Sequence, residues 1–280
     1  MTLTLAKLQA LKRQAGASAP AGPAPAPAPG AQASMEQIRR LLRVRAPQAA
    51  GRVPAQDREL PGTQLAPGLF LRETRLADEP VPAHLDGTFD RRDALPCARL
   101  LFFDTETTGL AGGTGTRAFM IGAADWQAGA LRVRQLTIAS TAAEAAMLEA
   151  FRGWLAPDTV LVSYNGKGYD APLLAARYRL ARMTSPLQGL THIDLLYPTR
   201  RRYRGVHENC RLATIEQRVL RIVREDDLPG SEAPAAWLRY LRGGSAQPLR
   251  RVLAHNHQDV VTLSRLLRHL SALPQAEAAV

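Results

Sequence analysis

The chain has 280 residues, 46% of them apolar, with a formal net charge of +11 and a pI near 10.5. This length and apolar content allow a sizeable core, in one large domain or in a domain with appendages. They leave no apolar run of the ~20 residues that a bilayer-spanning helix needs.

The positive charge favours a polyanionic partner such as nucleic acid. A GC-rich coding bias is its other source, since lysine occurs only at Lys7, Lys12 and Lys167 and the rest of the charge is arginine. Cys97 and Cys210 lack zinc-like or CxxC spacing and point to a reducing compartment without a structural disulfide. Lys7 interrupts the first apolar residues before a signal-peptide core can form, so the chain reads as cytoplasmic, with no membrane partner.

In chain order, Leu3, Leu5, Leu8 and Leu11 lie among Lys7, Lys12 and Arg13 in a short basic amphipathic stretch. Residues 16–30 are an Ala/Pro-rich low-complexity linker, and the segment before about Ser34 is expected to be poorly ordered. Met35 to Arg45 reads as a second basic helix, and Pro47 to Pro67 as irregular. Leu69 to Leu76 alternates as an edge strand does. Leu100 to Phe103 is an apolar run that ends on Asp104-Thr105-Glu106, a buried strand with two carboxylates on one side. Such a pair either caps a turn or faces a hard cation such as Mg²⁺ or Mn²⁺, and the D-x-E spacing after two phenylalanines favours the cation.

The glycines of residues 109–115 lead into a strand over Ala118 to Trp126, not a helix, and no GK[ST] follows. This excludes a dinucleotide fingerprint and a P-loop, and leaves close backbone approach to a ligand as the role of the glycines. Leu131 to Ala139 pairs with the preceding strand through residues 127–130. Thr141 and Glu144 form a capping box for a helix bearing Leu148, Phe151 and Leu155. Thr159 to Ser163 is a strand that runs through Tyr164-Asn165-Gly166-Lys167-Gly168-Tyr169 to Asp170, where the next helix starts. Leu190 to Leu195 is a further strand, also ending in an acid, Asp194. Arg200, Arg201, Arg202 and Arg204 surround Tyr203, which suits phosphate contacts and base stacking, or else an exposed loop. Leu212 to Val223 reads as a helix, Asp226 to Pro234 as a turn-rich loop, and Leu249 to Leu270 as the last helix. Asp259 lies on that helix's apolar stripe, four residues after His255 on the same face.

These elements predict an α/β fold with a mixed sheet. In such a sheet Asp104, Glu106, Asp170 and Asp259 can converge at one edge. Four acids around one pocket suit two divalent cations that clamp the attacking and leaving oxygens of a phosphodiester.

The motifs DTETTG, YNGKGYD and HNHQD, in that order, resemble those of the DEDD (DnaQ-like) 3′–5′ exonuclease superfamily with its ribonuclease-H-like fold. FFDTETTGLAGGTGTRAFMIG, SYNGKGYDAPLL, HIDLL, DDLPGSEAP and HNHQDVVTL resemble the YprB-like subgroup. The resemblance covers roughly Leu69 to Leu270. It implies residues 69–272 as the ribonuclease-H-like domain; composition makes residues 1–34 a low-complexity tail with a short basic helix, 35–68 a basic helix and irregular lead-in, and 273–280 a tail. It implies Asp104, Glu106, Asp170 and Asp259 as ligands of two Mg²⁺ or Mn²⁺ ions. Thr107, Asn165, Lys167 and the Arg200–Arg204 cluster with Tyr203 are the expected contacts to a single-stranded end of DNA or RNA. Members of the superfamily place a general base five residues (His) or four (Tyr) before the last Asp. Here Ala254 stands five before and His255 four before, so His255 is the candidate base and His257, about 200° around the helix, the poorer one. The expected activity is metal-dependent hydrolysis of nucleic acid. The alternatives are a nucleic-acid-binding protein of the same fold with little catalytic activity, and a scaffold acting through its N-terminal helices.

Overall fold

A computed structural model of the chain describes residues 57–77, 80–109, 115–224 and 228–273. The expectations for the two basic helices, the Ala/Pro linker, the tail after 273 and most of the glycine-rich loop fall outside these residues. The strands are β1 Thr63–Ala66, β2 Leu69–Ala77, β3 His84–Leu85, β4 Leu95–Pro96, β5 Leu100–Thr107, β6 Ala118–Gln127, β7 Ala130–Ile138, β8 Val160–Ser163 and β9 Thr191–Asp194. The helices are α1 Glu144–Arg152, α2 Asp170–Leu180, α3 Leu196–Tyr203, α4 Leu212–Ile215, α5 Ala233–Leu241 and α6 Gln247–Ala272.

Seven strands form one mixed sheet in the order β1-β2-β7-β6-β5-β8-β9, and β3 pairs only with β4. The β1 to β7 pairings and β5/β6 are antiparallel, whereas β5, β8 and β9 run parallel. The carboxyl ends of β5, β8 and β9 therefore reach the same edge, where Asp104, Glu106 and Asp194 stand. Side chains alternate across β5. Leu101 and Phe103 join a cluster with Phe119, Met147, Phe151, Leu174 and Trp237, which places α1, α2 and α5 on that face. Leu100 and Phe102 join another with Val133, Val162, Val260, Leu263 and Leu267, so α6 covers the opposite face, the one that carries Asp104.

Several expectations need correction. β2 is interior, because Thr63–Ala66, read as irregular, pairs outside it. The register of β1 is broken between Gln64 and Ala66, which hides its alternation. No capping box forms at Thr141, and no side chain caps α1. Glu144 instead meets Arg177 at 2.6 Å and Arg117 at 3.1 Å, stronger partners than a backbone amide. The helix read over Leu212 to Val223 is one α-turn followed by a π-helical turn, Glu216–Leu220. Pro234, assigned to a loop, lies in the first turn of α5, where a missing N–H is tolerated. Trp237 of that helix stacks on Phe119 at 5.2 Å and donates to the Ile138 carbonyl at 2.7 Å. Cys97 and Cys210 are free thiols, as expected.

The approach of α6 to the sheet is set by one position. Asp104, Gly122 and Gln135 are cross-strand neighbours on β5, β6 and β7. Over that row lies Asn256 of α6, whose Nδ2 donates to Asp104 Oδ2 at 3.0 Å and whose Oδ1 accepts from Gln135 Nε2 at 3.0 Å. A Cβ on Gly122 would sit 2.1 Å from Asn256 Oδ1. Gly122→Ala should therefore lose about 1–3 kcal/mol in urea unfolding, the usual range for overpacking. Adding Asn256→Ala should be clearly non-additive, because the two groups share one space; full additivity would place the clash elsewhere.

Candidate active site

β5 ends as a strand whose apolar half is buried on both faces and whose last turn carries acids. Asp104 and Glu106 share the α6 side of the sheet, with Glu106 buried. Asp170 opens α2 directly after the loop from β8 and is buried as well. Asp259 and His255 are consecutive on one face of α6, with His255 Nε2 3.4 Å from Asp259 Oδ2.

The electrostatics bring the four acids together. Burial pushes Asp104 well above the ordinary carboxylate range, and the charges of Asp259, Asp170 and Glu106 push it the same way. Burial lifts Asp170 to about 6, against the Thr105 hydroxyl that donates to it. Burial also raises Asp259, while His255 and Arg224 oppose the rise. Like charges held in a dry site need a cation. The donors are mostly hard carboxylate oxygens, which suits Mg²⁺ or Mn²⁺. Glu106, His255 and Asp259 can each present one ligand atom so that all lie within 4.8 Å of one another. The residues fit a divalent ion on these two grounds.

The loop that delivers Asp170 is held by a residue noticed in the sequence only as an acid at a strand end. Asp194 Oδ1 accepts from the amides of Asn165 at 2.7 Å and Leu196 at 3.1 Å, and Oδ2 from that of Lys167 at 3.0 Å. Asn165 takes the left-handed conformation, φ +66°. Gly166 sits so close to the site that a Cβ there would meet Ser163 Oγ at 2.4 Å and Asp170 Oδ2 at 3.1 Å. Lys167 is exposed at this rim. Thr107 is buried, its hydroxyl 3.0 Å from Tyr169 Oη and 3.1 Å from the Gly109 carbonyl.

The basic cluster stands on α3 and just past it. Arg200, Arg201, Arg202 and Arg204 are exposed. Arg201 is tied to the Phe89 carbonyl at 2.7 Å, and Tyr203 to His269 Nε2 at 2.7 Å, with its ring near parallel to those of His207 and His269. The Tyr203 ring is therefore engaged within the fold. His257 meets Thr74 on β2 at 3.0 Å, away from the carboxylates, as its place around the helix implied.

Three participants escaped the sequence reading. Asn256 has no signal of its own within HNHQD, although a glycine inside the strand of residues 118–127 signals a close approach. Glu216 opens a π turn and Arg224 follows it, an arrangement that periodicity does not reveal. Arg224 donates to both Glu216 oxygens at 2.7 Å, to Asp259 Oδ1, and to His255 Nδ1 at 3.1 Å.

The chain is 36% identical over 173 residues to the uncharacterized protein YprB of Bacillus subtilis (strain 168), a stretch that covers 61% of this chain and 42% of that protein. The chain thus spans less than half the length of this curated relative. A family B DNA polymerase from the hyperthermophilic archaeon Pyrobaculum calidifontis superposes with a TM-score of 0.46 and 15% identity, over 66% of this chain and 28% of the polymerase. The model of the RNase_H superfamily matches residues 101–271. That span runs from the strand bearing Asp104 to the end of the helix bearing Asp259, and the chain belongs to the RNase_H superfamily as a YprB-like member.

Proposed function

We propose that the chain is a metal-dependent nuclease that hydrolyses phosphodiester bonds in nucleic acid, acting as a 3′–5′ exonuclease with two Mg²⁺ or Mn²⁺ ions. The observation that carries this reading is the charge of Asp104, opposed at once by Asp259, Asp170 and Glu106 from two other elements and its own strand. Asp104, Glu106, Asp170 and Asp259 would hold the ions. When bound, such ions polarise the phosphodiester and stabilise its attacking and leaving oxygens. His255 handles the proton of the attacking water, from its place beside Asp259. Thr107, Asn165 and Lys167 orient the strand end near Asp170. Arg200, Arg202 and Arg204 attract its phosphates, and the free thiols suit a reducing cytoplasm. Residues 69–272 form the catalytic domain in this reading.

A second reading, nucleic-acid binding without turnover, is favoured by one contact: Arg224 already neutralises Asp259. Labelled single-stranded DNA and RNA, incubated with Mg²⁺ or Mn²⁺, separate the two readings. A nuclease yields shortened products that vanish in EDTA, and Asp104→Asn lowers the rate by about 10³-fold, several kcal/mol of lost charge stabilisation. Cleavage that persists in EDTA overturns the metal mechanism. Salt-sensitive binding without products supports the second reading. Under either, replacing Arg200, Arg202 and Arg204 by Ala should flatten the salt dependence of binding by about one logarithmic unit per arginine that meets a phosphate.

The acids also predict a pH effect. Asp170 titrates at about 6 in the folded chain, against roughly 3.9 when unfolded. Between these values the folded chain keeps a proton that the unfolded chain has released. Stability therefore falls as pH rises through that window, and the loss is complete above it. In EDTA, Asp170→Asn should gain on the parent by on the order of 3 kcal/mol between pH 4 and pH 7. His192, held near 4 by burial, works in the opposite direction but equally in both proteins. A gap that stays flat with pH in urea titrations would refute the assignment of a raised Asp170.

A further inference from the structure

Arg224 is held at a corner where the fold has gathered acids. It follows the π turn Glu216–Leu220, and Arg221 at φ +58° turns the chain back on itself. Two of its acidic partners among the described residues differ in kind. Glu216 is 1% exposed, accepts both Nε and Nη2 of Arg224 at 2.7 Å, and accepts the Thr262 hydroxyl as well. Asp259 accepts only through Oδ1, and its other oxygen faces His255 at 3.4 Å. Glu216 has no place among the four acids, so it anchors the guanidinium without joining the site.

We infer that Arg224 is a positioning residue that serves as the site's built-in counter-ion, holding Asp259 until a divalent ion displaces it while Glu216 keeps hold of it. The inference rests on the nuclease reading above and states how this chain's own cation competes for that site. Its physical basis is the cost of leaving Asp259 uncompensated in a buried cluster of acids. A guanidinium and a metal ion on the same carboxylate repel each other, so each weakens the other's hold on Asp259.

A second consequence concerns His255. A guanidinium has only N–H donors, so His255 Nδ1 must accept at the 3.1 Å contact, and the neutral ring then carries its proton on Nε2, facing Asp259. One side-chain movement thus opens Asp259 and breaks the contact on His255 Nδ1.

Binding of Mn²⁺, followed by the electron paramagnetic resonance signal of the free ion, tests this without any turnover. Four full-length proteins are compared: the parent, Glu216→Gln, the double variant Arg224→Met/Glu216→Gln, and Arg224→Lys. Glu216→Gln removes the anchoring charge, so the guanidinium leans more on Asp259, and Mn²⁺ binding should weaken. The double variant removes the buried pair together and should bind about tenfold tighter than the parent. Charge counting alone predicts parental affinity for the double variant, since one charge of each sign is gone. Arg224→Lys keeps Glu216 paired but cannot span both acids, so it too should bind more tightly, and it decides the matter if the double variant does not fold. Parental or weaker affinity in the folded double variant, or in Arg224→Lys if the double variant is unfolded, overturns the inference while the metal reading stands. Absence of Mn²⁺ binding in all four proteins overturns both.

Discussion

The structure depends on how closely a long helix can lie against the sheet. Gly122 gives α6 room at the centre of the Asp104 face, and the Asn256 carboxamide fills it. One amide group then ties β5 through Asp104, β7 through Gln135, and the helix on which it stands. Gln135 also donates to the Leu253 carbonyl at 2.7 Å, so the link reaches the helix backbone as well as the side chain. Asp259 stands three residues, nearly one turn, beyond Asn256. A helix held farther out would leave Asp259 apart from Asp104 however well the rest of the core packed. Packing and chemistry are therefore not separable at this point: the contact that fixes the helix is the contact that orients the first acid.

A second constraint is charge. Buried carboxylates that raise one another's proton affinity work against folding. The fold surrounds them with donors rather than diluting them: Thr105 for Asp170, Asn256 for Asp104, Arg224 for Asp259. Asp194 shows the opposite solution. Its carboxylate is occupied by three backbone amides and is thereby taken up in structure, although it too ends a strand at the same sheet edge.

Much of this was legible in the sequence. The run LLFF followed by D-x-E marked a central strand, and the position of Asp259 on an apolar stripe marked a charge that needed a partner. Short buried strands such as Val160–Ser163 and the hairpin of β6 and β7 follow from composition and a two-residue turn. What stayed hidden has physical causes. β1 is short, mostly exposed and broken in register, so it carries no alternation to read. α5 begins at Ala233 behind a Gly/Pro-rich stretch whose turn chemistry masks the helix. The capping box at Thr141 matched the pattern, but Glu144 had arginine partners from distant parts of the chain, which local spacing cannot foresee. Arg224 reaches Asp259 only after a π turn and a left-handed residue, neither of which has a periodic signature.

That π turn places a limit on how the segment can change. The wide loop of backbone over Glu216–Leu220, closed by the Ile222 amide on the Glu216 carbonyl at 2.9 Å, adds length that a regular helix would not hold. Substitutions at its outward positions leave the path of the chain intact. Removal of a single residue between Glu216 and Arg224 would let the helix wind normally, and the following side chains would rotate by about 100°. Arg224 would then no longer return to Glu216. In descendants of this sequence the segment should therefore drift in composition while keeping its length.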